Sequence, residues 1–240
     1  MQDCLILHPN AAPVYEFLAR IDSQKSAMDG SQPKRILDCG AGGPIPPLAL
    51  FHQHGFQAWG IDISPVELDK ARQFGLQHGI DLHLKEGDMR CIPFEDQAFD
   101  FIYEHFSMCH LNKTDTRLAV REMYRVLKPG GLCFLGVIST DTWPRSLFGE
   151  ERAPGEFYGE EGGVQNVLHS MFSDQEMDDI VSAWEILIQE KRVRYLREAA
   201  AETSREEWMK LYPQAEHGGS EAQWQARYGS RAGSFQYTHL

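Results

Sequence analysis

With 240 residues, 42% of them hydrophobic and 24% charged, the chain has the composition of a globular protein and none of the apolar depletion that accompanies disorder. Its 23 Lys+Arg against 35 Asp+Glu give a formal net charge of -12, which opposes a phosphate backbone as partner. Lys191, Arg192, Arg194 and Arg197 alternate like one solvated face of a strand rather than forming a basic patch, so a nucleic-acid partner is not expected. Cys4, Cys39, Cys91, Cys109 and Cys133 form no C-x-x-C pair, and a reducing, cytoplasmic setting fits. No targeting or membrane-spanning segment is expected.

From Arg35 to Ile138 short apolar runs alternate with helical patterns, the signature of βαβ units and a mostly parallel sheet. Strands are predicted at Arg35–Cys39, Gln57–Ile61, Leu82–Glu86, Phe99–Tyr103 and Leu132–Ile138. Ser64-Pro65-Val66-Glu67 reads as an N-cap, a proline at the first helical position and an acidic first turn, opening a helix that runs toward Gly79. Lys113–Leu127 carries a helical apolar face in Leu118, Met123, Val126 and Leu127, and stops at Lys128-Pro129-Gly130-Gly131. Thr140 to Gly163 reads as a loop, Trp184–Leu196 as a long strand, Ala199–Arg227 as a polar helical insertion and Ser234–His239 as a short terminal strand. One domain is expected over residues 1–240, its core at about 35–139 and its insertions at about 140–172 and 197–230.

The chemistry concentrates where predicted strands end. Ile36-Leu37-Asp38-Cys39-Gly40-Ala41-Gly42-Gly43 runs from an apolar strand into a glycine-rich turn, where missing side chains let a ligand approach the backbone. A dinucleotide fingerprint would need a third glycine at Ile45, and Pro44, Pro46 and Pro47 remove backbone donors from a phosphate cradle. Asp62, delivered by the second strand, can accept hydrogen bonds from both ribose hydroxyls of an adenosyl ligand, a role that suits NAD or S-adenosylmethionine (SAM) equally. In Glu86-Gly87-Asp88-Met89 a carboxylate can take the adenine amino group while Met89 packs on the ring.

Taken in order, Asp38-x-Gly40-x-Gly42, Asp62, Gly87-Asp88, Phe99-Asp100 and Val126-Leu127-Lys128-Pro129-Gly130-Gly131 resemble the class I SAM-dependent methyltransferases, in the group often called type 11. The resemblance implies a Rossmann-like, doubly wound α/β fold: a mostly parallel seven-stranded sheet, its last strand antiparallel, with helices on both faces. It also implies SAM as cofactor, with Asp38, Gly40 and Gly42 on the methionyl side, Asp62 on the ribose and Asp88 with Met89 on the adenine. Ile63 and Glu104 join this expected cofactor set. Pro44 stands where the family often has a third glycine, and the absence of an N-P-P-Y or D-P-P-Y motif argues against methylation of adenine bases or glutamine.

Methyl transfer is an in-line displacement for which alignment in a dry pocket supplies much of the acceleration, so a dedicated base is optional. Candidates for one are Glu104, His105, His110 and His169, each weighed against a purely structural role. Trp143, Phe148, Phe157, Tyr158, Trp208, Tyr212, Trp224 and Tyr228 offer aromatic surface for a cap over the acceptor, or glue for the insertions. Glu150, Glu151, Glu156, Glu160 and Glu161 make the first insertion acidic, and Gly162-Gly163 and Gly218-Gly219 read as hinges or as ordinary turns. The expected activity is methylation of a small-molecule acceptor at O, N or C, with no metal, no membrane partner and homo-oligomer formation left open. The competing readings are a non-catalytic SAM-binding partner subunit and an NAD-dependent oxidoreductase.

Overall fold

The computed structural model describes residues 12–25, 33–142, 145–195 and 234–239. The chain divides into two compact units, Met1–Gly136 and Val137–Leu240.

In the first unit five strands, β1 (Arg35–Cys39), β2 (Gln57–Asp62), β3 (His83–Glu86), β4 (Phe99–His105) and β5 (Leu127–Ser139), lie parallel in the order β3-β2-β1-β4-β5. Leu37 sits opposite Trp59 on one side and Ile102 on the other, and Asp38 opposite Gly60 and Tyr103. These are the five predicted strands, with β5 beginning earlier. Leu127 pairs with Phe99 and Leu132 with Phe101, so Lys128-Pro129-Gly130-Gly131 is a bulge within the ladder rather than a connection before it, with Gly130 at φ 76°.

Helix α1 (Ala12–Lys25) buries Val14, Phe17, Leu18 and Ile21, the i, i+3, i+4, i+7 set of one helical face. They pack with Leu48, Leu50 and Phe51 of α2 (Leu48–Gln53) against Ile36, Ala58, Phe101 and Tyr103 of the sheet. Each fully buried side chain of this kind contributes about 1.5–3 kcal/mol. Strand alternation sends Leu37, Ile61 and Ile102 to the opposite face, where the sheet is again fully buried. Helices α3 (Pro65–His78) and α4 (Lys113–Val126) turn Leu68 and Ala71, and Ala119, Val120, Met123 and Val126, inward. Ser64 caps α3 by accepting from Glu67 N at 3.3 Å, Pro65 occupies its first turn, and Gly79 ends it at φ 64°, as the sequence predicts.

At the opposite end of the strands from the site described below, Asp100 is 5% exposed and gathers three partners. It accepts from Arg35 N and Lys128 Nζ, each at 2.9 Å, and pairs with Lys34 Nζ at 3.8 Å. The Arg35 guanidinium lies 5.0 Å from the Trp59 ring and 4.7 Å from that of Phe99. Asp100→Ala is expected to cost about 2–3 kcal/mol, because it leaves a buried amide and two ammonium groups without their acceptor. Urea unfolding measures this; an unchanged midpoint would refute it.

In the second unit the end of β5 pairs parallel with β8 (Val164–Phe172), matching Ile138 to Met171. Beyond β8 come β7 (Glu156–Glu161) and β6 (Glu150–Ala153), both antiparallel to their neighbours. The segment expected as a loop is therefore a three-stranded meander preceded by a short helical turn, Arg145–Phe148, and the strand count exceeds the seven expected. Gly162 and Gly163, at φ 57° and 83°, form the tight two-residue turn between β7 and β8, which assigns that pair to a hairpin rather than a hinge. Phe157 on β7 is 3% exposed, while Tyr158 lies under Arg152 at 4.7 Å.

Helix α5 (Asp174–Ile180) starts with a capping box between Ser173 and Glu176. The strand expected over Trp184–Leu196 is only β9 (Glu190–Tyr195), which pairs antiparallel with β10 (Ser234–His239). Trp143, Trp208, Tyr212, Trp224, Tyr228, Gly218, Gly219 and the insertion expected over Ala199–Arg227 lie outside the described residues. Among the described residues no helix is long and apolar enough to cross a membrane.

Candidate functional site

The carboxyl ends of β1, β2 and β4 bring Asp38, Gly40, Gly42, Asp62 and Glu104 to one edge of the first unit, where open α/β sheets bind ligands. Beyond β1 the chain turns at Gly40, whose φ of 94° excludes most side chains. The amides of Gly40 and Ala41 both donate to Ile61 O, at 2.8 and 2.9 Å, fastening the loop to the end of β2. A Cβ on Gly40 would lie 1.9 Å from Ser107 Oγ, and one on Gly42 2.6 Å from Asp62 Oδ2. Both glycines are therefore required by space, and Gly40 by conformation as well. Past Gly43 the prolines serve the next element: Pro46 and Pro47 accept from Ala49 and Leu50 to open α2.

Asp62 ties the loop to the helix beyond it. Its Oδ2 accepts from Gly42 N at 3.0 Å and its Oδ1 from Ser64 N at 2.8 Å. The carboxylate is half-buried and keeps acceptor positions for two further donors.

Asp38 and Glu104 are 2% and 0% exposed. Burial pushes the Asp38 carboxyl well above the usual carboxylate range, with the charges of Glu104 and Asp62 adding to it. Burial raises Glu104 to about 8, against the lowering effect of the Met108, Gly136 and Ser107 amides. The Met108 amide donates to Glu104 Oε1 at 2.7 Å. Among the described residues Asp38 Oδ2 and Glu104 Oε2 have no hydrogen-bond partner. The turn that presents these amides includes Phe106 at φ 69°, a left-handed conformation costing a bulky residue about 1–3 kcal/mol.

The expected adenine carboxylate is differently placed. Asp88 is held by Arg90, through Nε at 3.0 and 2.9 Å to its two oxygens and through Nη2 at 2.6 Å. The Arg90 amide also donates to Oδ1, at 2.8 Å, and the Arg90 guanidinium keeps Asp88 below the usual carboxylate range. Arg90 reaches on to Asp115 at 2.8 Å in the first turn of α4. An adenine amino group would compete with this pair for Asp88. Met89 is half-buried and Ile63 is 65% exposed, so both offer apolar surface beside it. Arg90, Ser107 and the strained Phe106 were not read from the sequence; only the short spacing of Arg90 from Asp88 could have signalled its role.

The base candidates stand on different elements. Glu104 and His105 end β4, and His105 packs on the Phe106 ring at 3.9 Å. His110 is exposed at the end of a short helical turn, Met108–His110. His169 belongs to the second unit, 6% exposed on β8, with Nε2 at 3.2 Å from Glu161 Oε2 and its ring beside Phe148.

Residues 37–135 match the methyltransferase-domain family. This stretch is a class I SAM-dependent methyltransferase domain. It contains the glycine turn, Asp62 and Glu104, and SAM is its cofactor. The chain is 33% identical over 149 residues to a demethylmenaquinone methyltransferase of Thermus thermophilus, covering 58% of this chain and 66% of that protein. It is 31% identical over 122 residues to the sterol 24-C-methyltransferase erg-4 of Neurospora crassa, covering 49% and 31%. The match thus spans two thirds or less of these relatives' own length. A SAM-dependent methyltransferase of Methanosarcina mazei shares the fold, with a TM-score of 0.59 at 18% identity, over 87% of this chain and 93% of that one.

The residues present suit this cofactor. Two buried carboxyl oxygens without partners call for a cationic ligand group, and the glycine turn leaves the open backbone that a side chain would fill.

Proposed function

We propose that this chain transfers the methyl group of SAM to a small-molecule acceptor, with weakly polar acceptors ranked first. The observation that carries the reading is the joining of Gly42 and Ser64 through the Asp62 carboxylate, which fixes an acceptor for paired hydroxyls beside a turn open to ligand. The ranking rests on the names of two relatives, whose acceptors are demethylmenaquinone and a sterol, and on a net charge of -12 that disfavours polyanions.

SAM supplies an electrophilic methyl group on a sulfonium. Asp62 accepts from the ribose, Asp38 and the turn at Gly40 and Gly42 border the methionyl moiety, and Met89 and Ile63 offer apolar surface to the adenine. Glu104 is protonated near neutrality and so is not a ready base in the free protein.

Asp62→Ala is expected to weaken S-adenosylhomocysteine binding about 100-fold, from the loss of hydrogen bonds to a charged acceptor and of the loop tie. Calorimetry on the purified protein tests this, with an acceptor screen following product formation from labelled SAM. Equal affinity in the variant, or NAD binding in place of S-adenosylhomocysteine, would overturn the reading.

A further inference from the structure

A single residue takes every acceptor position of the Asp88 carboxylate. Oδ1 accepts from the Arg90 amide at 2.8 Å and from its Nε at 3.0 Å, and Oδ2 from Nε at 2.9 Å and from Nη2 at 2.6 Å. Two carboxylate oxygens offer about four lone-pair directions, so an adenine amino group can reach Asp88 only where Arg90 gives way.

The backbone around the pair is held in place. Gly87 N donates to Asp62 O at 3.0 Å, which keeps Asp88 beside the acid at the end of β2. Ile92 N donates to Glu122 Oε2 at 3.0 Å, and Arg125 donates to the carbonyls of Ile92 and Phe94, each at 2.9 Å. The part left to move is the Arg90 side chain, which is 37% exposed and has a second acid within reach. Its Nη1 donates to Asp115 Oδ2 at 2.8 Å. Asp115 is positioned in turn by Asn112, the N-cap of α4, whose Nδ2 donates to Oδ2 at 3.2 Å and whose Oδ1 accepts from the Asp115 amide at 2.8 Å. Arg90 thus stands between an acid fixed on α4 and one at the ligand-binding edge, and it can release the second while keeping the first.

We propose that Arg90 sets the cofactor affinity of this chain by competing with the adenine amino group for Asp88: on binding, the carboxylate passes from the guanidinium to the amino group while Arg90 keeps Asp115. The proposal rests on the cofactor assignment above and adds an affinity-setting residue to it. One set of N–H donors replaces another, and no covalent bond changes. Only molecules in which Arg90 has released Asp88 are competent to take the amino group, and the apparent affinity is lowered by that fraction. A partly exposed ion pair contributes a modest factor, so the lowering is about fivefold. A purine without the amino group leaves the pair intact and escapes this penalty.

The test is calorimetry of the full chain with S-adenosylhomocysteine and with its analogue lacking the purine 6-amino group. In the unaltered protein the two should bind within about threefold of each other, because the bond that the amino group gains is offset by those that Arg90 gives up. Arg90→Met keeps much of the side chain's length and removes its donors. It should bind S-adenosylhomocysteine about fivefold more tightly and the analogue with unchanged affinity, opening the difference to about tenfold. An Arg90 that merely supports the loop would act in the opposite direction. Weaker binding of both ligands by Arg90→Met, or an unchanged affinity for S-adenosylhomocysteine, would therefore overturn the proposal and leave the cofactor assignment standing. A preference of about tenfold or more for S-adenosylhomocysteine in the unaltered protein would overturn it without any variant, since Asp88 would then serve the amino group unopposed. That comparison keeps the test decisive even if Arg90→Met does not fold. Failure of the unaltered protein to bind S-adenosylhomocysteine at all would remove the cofactor assignment and the proposal with it.

Discussion

Gly40→Ala is expected to abolish detectable cofactor binding and to lower the unfolding free energy by about 2–6 kcal/mol. Two costs add. At φ 94° an alanine pays about 1–3 kcal/mol of backbone strain. The added Cβ would also sit 1.9 Å from Ser107 Oγ and 2.3 Å from Ser107 Cβ, an overlap relieved only by moving one of two loops, at about 1–3 kcal/mol. Neither loop is free to move without consequence. The amides of Gly40 and Ala41 are tied to Ile61 O, Gly42 N is tied to Asp62, and the Ser107 turn carries the amides that reach Glu104. Denaturant unfolding and calorimetry measure the two effects separately. Adding Ser107→Gly should recover the steric share of the stability but not the backbone share. Gly43→Ala is the control: with φ 100° and nothing within 4 Å of its Cβ, it pays the backbone cost alone. A Gly40→Ala protein with unaltered melting and affinity would mean that the turn is softer than its contacts indicate.

The first unit was legible in the sequence because its signals are local. Ser64-Pro65 and Gly79 bound a helix by their own backbone preferences, and the apolar runs of β1, β2 and β4 end at Asp38, Asp62 and Glu104 without reference to distant residues. What needed a partner far along the chain was not legible. Arg35 and Asp100 meet across 65 residues, and nothing near either announces the other. Asp38 and Glu104 were each named from strand ends, but neither position announced that its carboxyl would be almost fully buried. The meander was misread for a chemical reason: its β6 and β7 segments carry Glu150, Glu151, Glu156, Glu160 and Glu161, and an antiparallel strand with a solvated face tolerates such charge. Gly162-Gly163 between them and β8 was the available signal for a hairpin. Asp88 shows a related limit within the site: Arg90 stands two residues on, but that spacing does not fix the side-chain direction that makes the pair.

Glu104→Gln is expected to flatten the pH dependence of the free protein's stability between pH 5 and 8, and to make the protein more stable than its parent toward the alkaline end. An ordinary glutamate loses its proton near 4.5, whereas folded Glu104 keeps it to about 8. Between these values the folded state binds more protons than the unfolded one, so unfolding becomes easier as pH rises, by up to about 1.4 kcal/mol per pH unit from this group alone. The stability it contributes is fully present below the unfolded value and gone above the folded one. Asp38, raised by the same burial and by Glu104 itself, adds to the slope in the same direction. Glutamine cannot ionise, and its amide preserves an acceptor for the Met108 N–H, so the variant removes Glu104's contribution to the titration while retaining the hydrogen bond to the turn. Thermal melts of both proteins at half-unit pH steps, without ligand, make the comparison. Parallel curves would show that Glu104 is already ionised in the fold. A steeper fall in the parent would show that buried Glu104 holds its proton in the fold, at a cost in stability that the protein meets elsewhere as pH rises.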